Sequence, residues 1–155
     1  MSQSEMYASL KARVGETLMT SDWLEIDQAR VNAFAEATGD FQWIHVDAER
    51  ARRESPYGAT IAHGYLTLSL YPLLRNLVNE DNPAYPGIKN IINYGLNKLR
   101  FPNAVRVGDR VRGHFKLAEV AEIPGGLQIV EVYTVEVEGQ DKPACIAEAI
   151  MRLYV

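Results

Sequence analysis

Apolar residues recur with two different periods along the chain, and the change of period separates a helical first half from a sheet-forming second half. In the stretch 27–40, Val31, Phe34, Ala35 and the half-apolar Thr38 fall at i, i+3, i+4 and i+7 and make one helical face. Asp27 is placed to cap that helix, and Gly39 stands where a helix ends in a left-handed turn. A second short helix is predicted in "VDAERARRES", capped by Asp47 and stopped by Pro56. Ahead of both, "SDWLEI" (21–26) reads as a short strand, and residues 1–14 read as a polar lead without a function of their own. From Tyr65 to Val78 the chain is apolar on nearly every side with one charge, Arg75, which predicts a helix buried all round. Pro72 interrupts it, giving one kinked helix or two shorter ones.

Beyond the connecting loop "NEDNPAYPG" (79–87) the period becomes two. In "VRVGDRVRGHFKL", Val105, Val107, Val111, Phe115 and Leu117 alternate with Arg106, Arg110, Arg112, His114 and Lys116, the signature of a half-buried strand. The pattern returns through Leu127, Ile129, Tyr133, Val135 and Val137 after the turn "PGG", and again in "PACIAEAIMRLYV"; "IKNIINYGLNKLRF" (88–101) supplies one more strand. Short turns between successive strands imply an antiparallel sheet. An apolar helix and a sheet with one apolar face must bury each other. The expected fold is therefore α+β, one domain over residues 1–155 with a curved antiparallel sheet wrapped around a long central apolar helix.

Composition narrows the function classes. A chain of 155 residues with 47% hydrophobic and 23% charged residues is an ordinary folded domain. Its net charge of −4 offers no electrostatic reason to bind nucleic acid. No secretory leader and no apolar stretch long enough to span a membrane is evident, so a cytoplasmic location is expected. Cys145 is the sole cysteine and reads as a small buried residue rather than a catalytic thiol. The three histidines, at 45, 63 and 114, offer no ligand pair at i, i+3 or i+4, so no metal site is expected.

The chemistry gathers in "ATGDFQWIH" (37–45), where Asp40 and His45 flank the aromatic residues Phe41 and Trp43. On one helix a five-residue step rotates about 140°, so the two side chains would diverge; they converge only from a loop between two helix ends. Desolvation by the aromatic residues and the negative end of the preceding helix would raise the proton affinity of Asp40, and the positive end of the next helix would favour neutral His45. Spacing alone leaves open that Asp40 caps local amides and that His45 is structural. "YGATIAHGYLTLS" (57–69) adds a second group of candidates. The Gly64 amide, opening a buried helix, is the kind of donor that holds an oxyanion. Ser69 is either a polar contact within that helix or a packing residue bonded to its own turn, and His63 is structural or catalytic.

Together, "TGDFQWIHVD" and "YGATIAHGYLTLSL" resemble the hydratase motif of the MaoC-like dehydratases, the (R)-specific enoyl-CoA hydratases, from about Val14 to the C-terminus. The resemblance implies a hotdog fold, Asp40 and His45 as the catalytic pair, the Gly64 amide on the thioester oxygen and Ser69 at a site serine. It implies an acyl-CoA thioester as substrate, no cofactor beyond the coenzyme A of that substrate, and a homodimer joined at sheet edges. Most members of the family read Asn-Pro where this chain has Gln42-Trp43, a variant that looks like the NodN-like branch and puts Trp43 at the acyl entrance. Lys98, Arg100, Arg106, Arg110 and Arg112 are candidates for the coenzyme A phosphates, or form a solvated strand face. A hotdog thioesterase is a rival reading, but such enzymes place an acid on the central helix and Tyr65–Val78 has none. A non-catalytic acyl-binding or assembly subunit is a second rival, set against the retention of both Asp40 and His45.

Overall fold

The computed structural model describes residues 1–155. Strand β1 (Thr17–Thr20) and the two-residue β2 (Leu24–Glu25) share one edge of β4 (Arg110–Ile123). The sheet continues through β5 (Gly126–Val137) and β6 (Cys145–Tyr154) to β3 (Asn90–Arg100), in the order β1-β4-β5-β6-β3 with every pairing antiparallel. The alternation seen in the sequence becomes the register: Phe115 faces Tyr133, Ile129 faces Met151 and Val135 faces Cys145. The side chains at these positions are essentially fully buried. A bulge between Leu117 and Glu119 shifts the parity of β4, which brings Val120 to the inner face. Burial pushes the Cys145 thiol up to about 12, as expected of an inert core residue.

Six helices cover the inner face and its edges. α2 (Gln28–Thr38) begins with the Asp27 carboxylate accepting from the Arg30 N–H and ends at Gly39 with φ 79°, as its residues predict. α4 (Ala48–Glu54) is capped by Asp47, which accepts from the Arg50 N–H at 3.0 Å. Between them lies a one-turn helix, α3 (Trp43–Val46). The polar lead is not featureless: α1 (Gln3–Lys11) carries a full capping box between Ser2 and Glu5, and buries Met6 and Leu10 against the sheet.

The long central helix expected over Tyr65–Val78 is instead two short ones, α5 (Gly64–Ser69) and α6 (Tyr71–Arg75), meeting at Leu70. Pro72 is the physical reason, since it removes one ladder donor and crowds the preceding turn; Asn76 at φ 53° then ends α6. Nor is the segment buried all round: Leu66, Thr67, Leu70, Tyr71, Leu74 and Arg75 face the sheet, while Tyr65, Leu73 and Val78 are 67%, 50% and 86% exposed. No helix is long and apolar enough to cross a membrane.

The one charge in that segment is buried against another. Glu131 lies at an inward position of β5 and is fully buried. Arg75 donates to it through Nε at 3.1 Å and Nη2 at 3.1 Å, and the hydroxyls of Tyr71 and Tyr85 donate to the same carboxylate. Burial, reinforced by the Glu131 charge, raises both tyrosines far above the ordinary phenol range. This network ties α6, the loop 79–89 and β5 together across the core. Arg75→Ala would leave an uncompensated buried carboxylate, and urea unfolding should show a loss of about 3–5 kcal/mol. The double replacement Arg75→Met with Glu131→Leu should cost less than the sum of the single changes, and strict additivity would show that the two groups do not act as a pair.

Candidate active site

Local structure decides how Asp40 and His45 meet. Gly39 turns the chain out of α2, so Asp40 begins the connecting loop and its Oδ1 accepts weakly, at 3.4 Å, from the Gln42 N–H. His45 is not in a loop, contrary to expectation. It sits on α3, whose single turn aims the imidazole inward until only 6% of the residue is exposed. The convergence across five residues comes from this change of element, and not from a long excursion.

A second segment receives the ring. Residues 60–63 run as an extended strut: Ile61 N–H donates to the Ile44 carbonyl at 3.0 Å, Ala62 N–H to the Val105 carbonyl at 2.8 Å, and Ile61 pairs with Arg106 in an isolated bridge. The Ile61 carbonyl faces His45 Nδ1 at 2.7 Å. A carbonyl can only accept, so Nδ1 carries the hydrogen and Nε2 keeps its lone pair when the ring is neutral. Burial lowers the proton affinity of His45, and the nearby His63 adds to that; the Ile61 carbonyl and the Asp40 charge act the other way and do not overcome it. Neutral His45 was expected, but burial is the main cause rather than a helix terminus.

Gln28, which sequence reasoning passed over, braces this arrangement. Its amide nitrogen donates to the His45 carbonyl at 2.8 Å, and its amide oxygen accepts from the Thr60 hydroxyl, so one side chain spans α3 and the strut. The available signal was a polar residue in the first turn of an amphipathic helix, which is too common to single out.

His63 joins the cluster. Its ring stacks on that of His45 with centroids 3.8 Å apart, and its Nε2–H donates to the Asp40 carbonyl at 3.0 Å. Asp40, His45 and His63 carry donor atoms within 4.8 Å of one another, a grouping that sequence spacing did not reveal. Two of the imidazole nitrogens are already engaged with carbonyls, which leaves one free nitrogen on each ring.

The remaining candidates fall in different places. Gly64 follows His63 directly, and its N–H, at the first position of α5, donates to no group in the chain. A methyl added at Gly64 would stand 2.9 Å from the Phe101 ring, so that ring closes over the glycine where a larger residue would collide. Ser69 is separate from the pair: it is exposed, donates to the Tyr65 carbonyl at 2.6 Å, and lines a groove of about 390 Å³ between α5–α6 and the strands β3 and β6. Gln42 is exposed and caps α3 without a side-chain bond. Trp43 packs under Arg50, whose guanidinium lies 4.3 Å from the ring centre, and Asp40 is exposed. Phe41 is 58% exposed. The aromatic desolvation expected at Asp40 is thus absent in the single chain.

The candidate cations separate as well. Arg110 and Arg112 pair with Glu138 and Glu136 at 3.1 and 2.6 Å, and Lys98 approaches Glu148 at 3.8 Å. Arg100 and Arg106 are exposed and make no ion pair. The buried carboxylate nearest the central helices is Glu131, on the sheet and saturated by donors from three residues, so no free acid of the thioesterase kind is present there.

With this geometry in place, likeness to known proteins becomes informative. Residues 9–140 match the MaoC like domain. The chain is 51% identical over 149 residues to 3-hydroxyacyl-thioester dehydratase Z of Mycobacterium tuberculosis (strain ATCC 25618 / H37Rv), covering 96% of this chain and 95% of that protein. It is 42% identical over 148 residues to Nodulation protein N of Rhizobium leguminosarum bv. viciae, covering 92% and 88%. The R-hydratase PhaJ1 from Pseudomonas aeruginosa, in its unliganded form, superposes with a TM-score of 0.73 at 25% identity, covering 96% of this chain and 84% of that one. The sheet and its packed helices thus form a hotdog fold, and the chain belongs to the MaoC-like dehydratase family.

Proposed function

We propose that the protein catalyses the reversible (R)-specific hydration of trans-2-enoyl-CoA thioesters to 3-hydroxyacyl-CoA. The observation that carries this reading is the bare Nε2 of buried His45 beside the Asp40 carboxylate, with the tautomer fixed by the Ile61 carbonyl. One water accepts support from both groups: Nε2 takes a proton from it, and Asp40 accepts its other hydrogen. The hydroxyl oxygen bonds to C3 while the C2–C3 π pair shifts to C1–C2 and the carbonyl π pair moves onto the thioester oxygen, where the Gly64 N–H meets the charge. The imidazolium then returns its proton to C2, so that both parts of the water end on the substrate and the enzyme is unchanged.

The groove beside Ser69 supports the placement of the acyl chain. Ser69 lies five residues beyond Gly64, roughly 7.5 Å along the helix at 1.5 Å per residue. Leu68, Tyr71, Leu96 and Met151 give the groove its apolar lining. Arg100 and Arg106, free of carboxylate partners, are suited to the coenzyme A phosphates, and Trp43 and Gln42 stand on the loop at the outer side of the pair. No cofactor beyond the substrate's own coenzyme A is required, and the reaction fits a cytoplasmic enzyme.

A homodimer completes the reading. β3 pairs only with β6, and its free edge carries Ile92, Tyr94 and Leu96, which are 48%, 55% and 41% exposed. A long apolar edge of this kind invites pairing with a second copy. Leu96→Glu should convert the dimer to a monomer in sedimentation velocity, and an unchanged dimer would place the interface elsewhere.

Asp40→Asn and His45→Gln should each lower the hydration rate by about 10²–10⁴-fold with circular dichroism unchanged, read as loss of the enoyl-thioester ultraviolet absorbance. Near-wild-type turnover in either variant, or release of free coenzyme A, would refute the assignment. The pH profile follows from the sign of the His45 shift. Burial disfavours the imidazolium, so protonation requires a lower pH than the ordinary value of about 6.5. Hydration needs the neutral ring, so kcat/KM should fall on the acid side with a midpoint below about 6.5, and a midpoint above it would contradict the burial argument.

A further inference from the structure

His63 is 3% exposed, and its position has an unusual consequence for its two nitrogens. The Asp40 carbonyl fixes the hydrogen on Nε2, which leaves Nδ1 bare. Nδ1 has no partner in the protein and no exposure to solvent. A buried acceptor left unmatched destabilises a fold, and a phenylalanine would fill the same space without it. Packing therefore does not account for a histidine here.

What the imidazole supplies, and a phenyl ring could not, is the Nε2–H. Gly39 has just released the chain from α2, and no other hydrogen bond in the protein anchors the Asp40 main chain. The ring packs against two others, stacked on His45 with centroids 3.8 Å apart and tilted against Phe34 at 4.9 Å. Its backbone is equally fixed, because the His63 carbonyl accepts from the Leu66 and Thr67 N–H groups at 3.0 and 3.2 Å. Of the groups packed around it, from α2, the loop and α3, only Asp40 and His45 can carry charge.

We propose that His63 is a positioning residue: its Nε2–H ties the Asp40 main chain to the strut, and its ring, packed against Phe34 and stacked on His45, sets the plane of the His45 imidazole. The role rests on the reading that Asp40 and His45 share one water. His63 does not touch that water. It holds the acceptor and the base at a fixed separation, and small displacements between such groups reduce rate steeply.

Two variants divide the role into its parts. His63→Phe keeps a ring against Phe34 and His45, loses the donor and removes the unpartnered nitrogen. Its melting temperature should equal or exceed that of the wild type, while kcat falls by about 10-fold or more and KM changes by less than about threefold. His63→Gln restores an N–H at the reach of Nε2 without the ring and should recover part of the kcat lost in His63→Phe. A third readout needs no substrate: in His63→Phe the NMR titration of the His45 ring should move to higher pH, because the neighbouring imidazole no longer opposes its charge. Wild-type kcat in His63→Phe, or no recovery in His63→Gln, would overturn the proposal, as would an unmoved His45 titration. Failure of the wild-type protein to hydrate any enoyl thioester would instead remove the proposed reaction, and the titration would still decide the part played by His63.

Discussion

The hydrogen bond from His45 Nδ1 to the Ile61 carbonyl is the constraint on which the proposed chemistry depends. An imidazole offers two nitrogens, and only a fixed partner on one makes the other dependable as a base. Here the partner is a main-chain oxygen on a strut that is itself anchored to α3 and to the segment before β4. That strut cannot rotate away as a side chain could. His45 is therefore oriented by the backbone of a second segment, and the fold, rather than the loop that contains Asp40, defines the site.

A contrast between two buried polar clusters shows the same logic from the other side. Around Glu131 every acceptor is met, by Arg75, Tyr71 and Tyr85, and no free valence remains for a ligand. Around His45 and His63 the accounting is left open, with Nε2 of one ring and Nδ1 of the other unmatched within the protein. A saturated cluster specifies how α6 sits on the sheet. An unsaturated one retains a cost that a purely structural site would have shed, and such costs gather where chemistry is done.

Much of this was legible in the sequence where local rules act alone. The caps at Asp27 and Asp47, the left-handed Gly39 and the alternation of β4 and β5 follow from backbone preference and the period of two, which need no tertiary knowledge. Asp40 and His45 were identifiable as a pair because the helix ends on either side are strong local signals. The Ser2–Glu5 capping box was equally local, and weighing it would have replaced a featureless lead with α1. What failed depended on distance. Glu131 occupies an inward position and Arg75 an apolar helix, and each is an anomaly until the fold sets one against the other. His63 could not be placed on His45 from spacing, because eighteen residues and a turn-rich segment separate them. Aromatic neighbours in sequence suggested a desolvated Asp40, yet Asp40 and Phe41 are exposed and Trp43 packs under Arg50, since adjacency along a loop says little about what side chains touch.

The account reduces to one protonation pattern: at neutral pH His45 carries its hydrogen on Nδ1 and presents an unprotonated Nε2 to the space beside Asp40. Nitrogen-15 NMR of the folded protein distinguishes the two ring nitrogens directly. The account predicts a pyrrole-like signal from Nδ1 and a pyridine-like signal from Nε2. A hydrogen on Nε2 with Nδ1 bare, or a doubly protonated ring at neutral pH, would contradict it.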